Sequence, residues 1–456
     1  MKTKAPSDRA LEQVLVEVSG RQSEDHLSIK ISDVYDLFEA RVARDREKAA
    51  VLASSAYIKT LGLTEKEVES HQVFETFLVY SKKVHDLFKG EKLLSYYMLD
   101  TDAEKFALFF ERSNSRGIQL DFIDILAAKL YSGFNLRKAA LKLVEETGLK
   151  GERELQEILV RSIAYAVSGG KEIERKYILT RLDADNFNEH WDEMVQRVKR
   201  AMNYLSQNHL LLAQAWFPYP NMLIPLTVFV GEIPGQEFSQ ISAKQSAAIK
   251  LWYWSSIFTQ RYSTAANTVI IEDALVLAKI ARNPNGFDRA FFKRIRPKID
   301  SYEDLAAINK RQNAIYKGFL NFIGYIHGGL RDWKNGDLLS FNMDVDDHHI
   351  FPKKYLSNLP TEEDAEVTES VLNRALIPKL TNIKIGGECP SAYLGRLEKS
   401  NPNLRSSLEN HLIPVAIAEG IFDQIYLGFL QTRGDAFTKA FNEHLTDLEK
   451  QLFGTA

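Results

Sequence analysis

Two adjacent histidines, His348 and His349, follow a run of aspartates and precede the segment Ile350-Phe-Pro352. Imidazole has an ordinary pKa of about 6.5, so near pH 7 it can accept a proton or offer a lone pair to a metal ion. Either Asp346 or Asp347 could add a carboxylate ligand, and the sequence does not choose between them. These residue types suit metal-assisted hydrolysis, in which one group takes a proton from water.

A second polar group follows downstream, where Asn373 and Asn382 are nine residues apart. Adjacent histidines alone more often lie in a polar loop without a function. Three observations favour a site here: the strand pattern before the histidines, the Ile-Phe-Pro segment after them, and the spacing of the two asparagines.

The pattern around these residues predicts the elements that position them. Apolar and polar residues alternate from Leu339 to Val345, which is the period of a β-strand, and this strand would end near the histidines. A second short strand is predicted for 375–377, followed by a helix that begins at Asn382. Strand, loop, strand and helix in this order form the layout of a ββα-metal module.

The segment His348-His-Ile-Phe-Pro352 and the two asparagines resemble the HNH, or His-Me finger, nucleases. The resemblance implies that His349 is the general base and that Asn373 orients it. It also implies that His348 and Asn382 bind Mg²⁺ or Mn²⁺, with Asp347 as a further candidate ligand. The expected substrate is the phosphodiester backbone of DNA.

Wider matches cover most of the chain from about residue 90 onward and resemble one family, the GmrSD-type restriction proteins. These proteins join a ParB/Srx-like nucleotide-handling domain to an HNH domain. The matching segments are residues 114–117, 254–262, 332–333, 381–387, 390–391 and 393–394.

One motif of that family is missing, the Asp-Gly-Gln-Gln-Arg sequence that serves nucleoside triphosphate binding. We therefore expect a fragment, a natural short form or half of a split system, with a separate N-terminal sensor domain as a partner. Asn114, Arg116 and Gly117 are candidate remnants of the nucleotide site. The alternative for the segment 114–117 is a turn between two helices, in which the first helix ends at the glycine.

Composition and helical spacing predict a mainly α protein with a C-terminal ββα-metal module. The 456 residues, 45% of them hydrophobic, are enough for more than one domain. The predicted division is 1–134 as the remnant of the ParB/Srx-like domain, 135–300 as a helical middle domain, and 301–456 as the HNH domain with closing helices.

The net charge of −3 means that nucleic acid would have to bind to local basic patches. The densest basic run supplies four candidate contacts to the DNA backbone: Lys293, Arg294, Arg296 and Lys298. The alternative for this run is a solvated loop.

The single cysteine excludes a disulfide framework and any zinc site with two thiolates from one chain.

The function expected from the resemblance is a DNA endonuclease of restriction or anti-phage type. The alternatives are an HNH nuclease that acts on RNA and a non-catalytic nucleic-acid-binding or regulatory subunit. A cytoplasmic protein is expected, because the N-terminus lacks an apolar signal core and no run approaches about 18 apolar residues. The sequence leaves the oligomeric state open.

Overall fold

The computed structural model describes residues 45–89, 121–147, 151–264, 266–359 and 365–454. The chain divides into two compact units, with the boundary between Gly117 and Ile118. The described residues are mainly helical, which confirms the coarse fold class. The predicted division into 1–134, 135–300 and 301–456 stays a prediction, because it says what kind of domain each part is, and a division into compact units does not test that. The candidate nucleotide residues Asn114, Arg116 and Gly117 lie outside the described residues.

The described part of the first unit consists of short helices: α1 (Asp45–Ala53), α2 (Ala56–Thr60), α3 (Glu65–Glu69) and α4 (Gln72–Lys89). The backbone N–H of Thr64 donates to Glu67 Oε2 at 2.9 Å, a capping-box contact that fixes the start of α3. Apolar residues from all four helices form a small core of their own: Ala49, Leu52, Ile58, Val68, Phe74 and Phe77.

One continuous apolar core extends through the second unit, and it contains the buried indoles of Trp216, Trp252, Trp254 and Trp333. The helices that precede the first strand are α5 (Phe122–Leu130), α6 (Leu136–Thr147), α7 (Glu152–Val167), α8 (Arg175–Arg181), α9 (Ala184–Gln207), α10 (Leu223–Glu232), α11 (Ala243–Phe258), α12 (Ala266–Arg282), α13 (Arg289–Ile295), α14 (Glu303–Ala306) and α15 (Ala314–Ile326).

A buried carboxylate connects α11 to α12. Asp273 accepts hydrogen bonds from Trp252 Nε1 at 2.9 Å and from Tyr262 Oη at 2.7 Å. Arg261 adds an ion pair with the same carboxylate at 2.8 Å. Because donors surround this carboxylate, its burial is compensated. The aromatic residues 252–254, Phe258 and Tyr262 are buried in the core.

Two antiparallel strands follow α15, and a helix comes directly after them. The strands are β1 (Val345–His349) and β2 (Arg374–Pro378), paired from Val345 with Pro378 to His349 with Arg374. The later helices are α16 (Lys353–Leu356), α17 (Ala365–Thr368), α18 (Lys379–Ile385), α19 (Pro390–Glu398), α20 (Leu404–Asn410) and α21 (Tyr426–Phe453).

The predicted strand from Leu339 was wrong in its position. The N–H of Leu339 donates to Leu330 O, which is a pairing separate from the hairpin. Met343 N donates to Ser340 O and closes a turn. β1 therefore begins only at Val345, whereas its end at His349 agrees with the predicted end near the histidines. The predicted second strand is confirmed, with one more residue at each end.

The predicted start of the following helix at Asn382 was also wrong. α18 begins at Lys379, so Asn382 lies within the helix, and the helix ends before Gly386, which has a positive φ of 78°. Glycine tolerates this backbone conformation because it has no Cβ. The segment that contains Tyr393 then forms the separate helix α19.

A buried arginine of α21 fixes the hairpin to the closing helices. Arg433 Nη1 donates to two backbone oxygens, Leu372 O and Arg374 O, each at 2.7 Å. Nη2 donates to His411 O at 2.9 Å and Nε donates to Leu412 O at 3.2 Å. Within the described ranges, no helix combines the length and apolarity needed to cross a membrane.

Candidate functional site

The pleat of β1 places the two adjacent histidines on opposite faces of the hairpin. His349 pairs with Arg374, and His348 pairs with Ala375. Successive side chains of a strand point to opposite faces, so Asp347 shares the face of His349, and Asp346 shares the face of His348. The site therefore has two sides, each built around one histidine.

On the first side, His348 contacts Asn382 of α18. The two atoms that meet are Nδ1 and Oδ1, 2.8 Å apart. The imidazole is buried edge-on between Trp333 and Tyr393, with ring centroids 5.5 and 5.9 Å away. Burial lowers the pKa of His348 to about 4, so the ring is neutral near pH 7 and retains a lone pair for a ligand.

The His348–Asn382 pair is compatible with a divalent cation. Mg²⁺ binds oxygen and nitrogen at about 2.1 Å in octahedral geometry, which places neighbouring ligand atoms about 3 Å apart. The observed 2.8 Å fits that spacing, and it equally fits a hydrogen bond in which Nδ1 carries the proton. Both donors are neutral, so water and phosphate oxygens would complete the coordination shell.

The structure does not bring Asp347 to this pair. Its carboxylate accepts a hydrogen bond from Tyr316 Oη at 2.6 Å and lies 3.5 Å from Arg311 and 3.8 Å from Arg374. Asp346 is the aspartate on the His348 face. Among the described residues, no three His, Cys, Asp or Glu side chains converge on a metal position.

On the second side, Arg374 Nη1 lies 3.1 Å from His349 Nδ1. A guanidinium group only donates, so Nδ1 accepts, and the neutral ring carries its proton on Nε2. Nε2 lies 3.5 Å from Glu369 Oε2, at the outer limit of a hydrogen bond. Burial, assisted by the charge of Arg374, lowers the pKa of His349 to about 4, and Glu369 partly opposes this.

Asn373 does not contact the imidazole that it was predicted to orient. Its Oδ1 accepts from Phe351 N at 2.8 Å, and its Nδ2 donates to Phe351 O at 3.1 Å and to Thr368 O at 3.2 Å. The buried amide therefore holds the backbone just after His349. Its effect on the imidazole is indirect and passes through that backbone.

Sequence reasoning missed Arg374, Glu369 and Lys353, which surround His349. Glu369 forms ion pairs with Lys353 and with Arg374 Nη2. Arg374 directly follows Asn373, and the register of the hairpin would have placed it opposite His349. Glu369 and Lys353 carry no comparable signal, because only the tertiary fold brings them to the strand.

The basic run lies on α13 and the segment after it. Arg294 forms an ion pair with Glu272, and Arg296 forms one with Glu449. Two of the four candidate residues are therefore engaged within the protein. Lys293 and Lys298 are exposed, and their contact with nucleic acid stays a prediction.

Comparison with known proteins adds a distant relative. No protein-family model matches the chain. It is similar to the uncharacterized protein MJ0686 of Methanocaldococcus jannaschii, with 26% identity over 313 residues. This match covers 66% of the chain and 51% of the relative, so the chain spans about half the length of that protein.

Proposed function

We propose that this chain is a metal-dependent endonuclease of the HNH type that hydrolyses DNA phosphodiester bonds. One observation carries the proposal: the hairpin and α18 bring His348 within 2.8 Å of Asn382, and the next residue of the same strand, His349, carries a neutral imidazole on the opposite face. An oxygen and nitrogen ligand set and a proton acceptor are the groups that metal-assisted hydrolysis needs, and here one strand carries a ligand and the acceptor.

His349 accepts the proton of the attacking water in this proposal. Its imidazole is neutral at pH 7, and the hydrogen bonds of Asn373 fix the backbone that carries it. Mg²⁺ or Mn²⁺ held by His348 and Asn382 would offset the charge that develops on the phosphate and on the leaving oxygen.

The biological role follows from the resemblance to GmrSD-type restriction proteins. We propose a cytoplasmic protein that acts in restriction or anti-phage defence against foreign or modified DNA. The nucleotide-binding role of Asn114, Arg116 and Gly117 remains part of the same hypothesis, as does control by a separate sensor domain that binds nucleoside triphosphate.

A non-catalytic DNA-binding subunit is the second candidate, and one contact favours it. Arg374 occupies the lone pair of His349 Nδ1, the atom that a general base must expose. If this contact persists on DNA, the hairpin binds the backbone without hydrolysing it.

Plasmid cleavage with Mg²⁺ or Mn²⁺ separates the two candidates. The variant His349→Ala is expected to cleave about 10²–10⁴-fold more slowly than the wild type, the usual contribution of a general base. His190→Ala is a matched control, because the His190 side chain is 24% exposed and that of His349 is 20% exposed. Metal-dependent cleavage that His349→Ala leaves intact would contradict the catalytic assignment, and binding without cleavage would favour the second candidate.

A further inference from the structure

Arg374 is a buried cation with one donor unused. The residue is 7% exposed, and within the described part of the chain its Nε makes no hydrogen bond. Nη1 contacts His349, and Nη2 binds Glu369. Nε and Nη2 lie along one edge of the guanidinium, and only half of this edge has an acceptor.

Glu369 covers that edge from the solvent side. Its side chain is 32% exposed, and it also forms an ion pair with Lys353, whose side chain is 59% exposed. Its carboxylate therefore holds two cations, one buried and one at the surface, beside the imidazole of His349. Another anion of similar size could bind to the same two cations in place of this carboxylate.

We propose that Arg374 and Lys353 form an anion site that takes a phosphodiester group of DNA, and that Glu369 occupies this site while DNA is absent. This inference rests on the proposed function. A phosphodiester presents two non-bridging oxygens, which match the paired donors of an arginine edge better than the single contact that Glu369 makes. Exchange of Glu369 for phosphate would satisfy Arg374 Nε as well as Nη2.

The site also orients the substrate. Nη1 of the same guanidinium contacts His349 Nδ1. The guanidinium group would therefore lie between the imidazole and a phosphate bound on the Nε–Nη2 edge. In the proposed reaction the contact between Nη1 and Nδ1 opens when DNA binds, so that Nδ1 can accept the proton of the attacking water. Arg374 is a positioning residue, since its proposed contact is with a phosphate and not with the attacking water.

The test is equilibrium binding of a short DNA duplex without divalent metal, so that no cleavage occurs, over a range of salt concentrations. Lys353→Gln is expected to weaken binding several-fold and to reduce the slope of log affinity against log salt by about one, the effect of one lost phosphate contact. Glu369→Gln is expected to tighten binding several-fold, because the competing carboxylate loses its charge.

Lys379→Gln is the matched control. The Lys379 side chain is 56% exposed, it lies within 4.0 Å of Asp344, and it follows β2 at the end of the hairpin away from His349. It should leave both affinity and slope unchanged.

The outcomes separate the two proposals. If the wild type does not bind DNA in this assay and does not cleave it with Mg²⁺ or Mn²⁺, both the proposed function and the anion site are wrong. If it cleaves DNA with metal but does not bind it in this assay, only the anion site is wrong. If the wild type binds and Lys353→Gln behaves like Lys379→Gln, the anion site is wrong and the proposed function stands. Weaker or unchanged binding by Glu369→Gln would also contradict the inference, since it would mean that Glu369 only supports the structure.

Discussion

Arg374 Nη1 lies 3.1 Å from His349 Nδ1, across the register pair that ends the hairpin. Because arginine cannot accept a hydrogen bond, this contact selects the tautomer with the proton on Nε2. The same positive charge opposes protonation of the ring. This contact thus fixes the tautomer of the proposed base and adds to the burial that keeps the imidazole neutral.

Replacement of Arg374 by methionine is expected to raise the pKa of His349. Methionine keeps much of the buried side-chain volume but removes the cation that disfavours imidazolium, while Glu369 remains to favour it. The measurement is an NMR titration of the His349 ring, with Lys379→Met as the control for a lost surface charge. An unchanged pKa would mean that burial alone depresses it.

Replacement of Asn382 by alanine is expected to raise the metal concentration required for half-maximal cleavage by about 10- to 100-fold, the usual effect of losing a group that binds or orients a ligand. Asn382→Asp keeps an oxygen near His348 Nδ1 and adds a charge, so it should need less metal than the alanine variant. Cleavage rates across a Mn²⁺ titration test both. Equal metal dependence of Asn382→Ala and the wild type would exclude Asn382 from the metal site.

Replacement of Asn373 by alanine is expected to destabilise the fold by about 1–3 kcal/mol per unsatisfied buried group, because Phe351 N, Phe351 O and Thr368 O lose their partner. Urea unfolding gives the loss directly. Asn373→Asp retains an acceptor for Phe351 N but places a buried carboxylate oxygen against Phe351 O and Thr368 O, so it should lose at least as much stability as Asn373→Ala. A variant that loses cleavage at full stability would instead support a direct role in the reaction.

Local patterns explain how much of the hairpin could be predicted. The apolar run 375–377 is a short buried strand in both sequence and structure, because its burial and its length agree. The alternation from Leu339 to Val345 misled, because it spans a turn at Ser340–Met343 and two separate backbone pairings. Period alone cannot reveal such an interruption.

The site was predictable only where the register determines it. Once both histidines lie in β1, the period of two separates Asp347 from His348 and places it with His349. The structure brings His348 and Asn382 into contact, and their shared role as metal ligands stays a prediction. Glu369 and Lys353 depend on how α16 and the segment before β2 pack, and no local pattern contains that information.

Buried histidines should make the fold sensitive to acid. Burial lowers the pKa of His411 to about 3 and the pKa values of His348 and His444 to about 4. In the unfolded chain these rings titrate near pH 6.5. Between these values the unfolded state binds protons that the folded state excludes, so stability is fully present above about pH 6.5 and falls as the pH decreases.

His411 offers the sharpest test, since its Nε2 donates to Arg331 O at 2.9 Å and its ring is fully buried. A glutamine amide can keep that donor without titrating. Each buried histidine contributes up to about 1.4 kcal/mol of unfolding free energy per pH unit in this window. His411→Gln should therefore reduce the slope of stability against pH between 6 and 4.5 by about that amount. Urea midpoints across this range measure it, and parallel curves for variant and wild type would show that His411 does not titrate on unfolding.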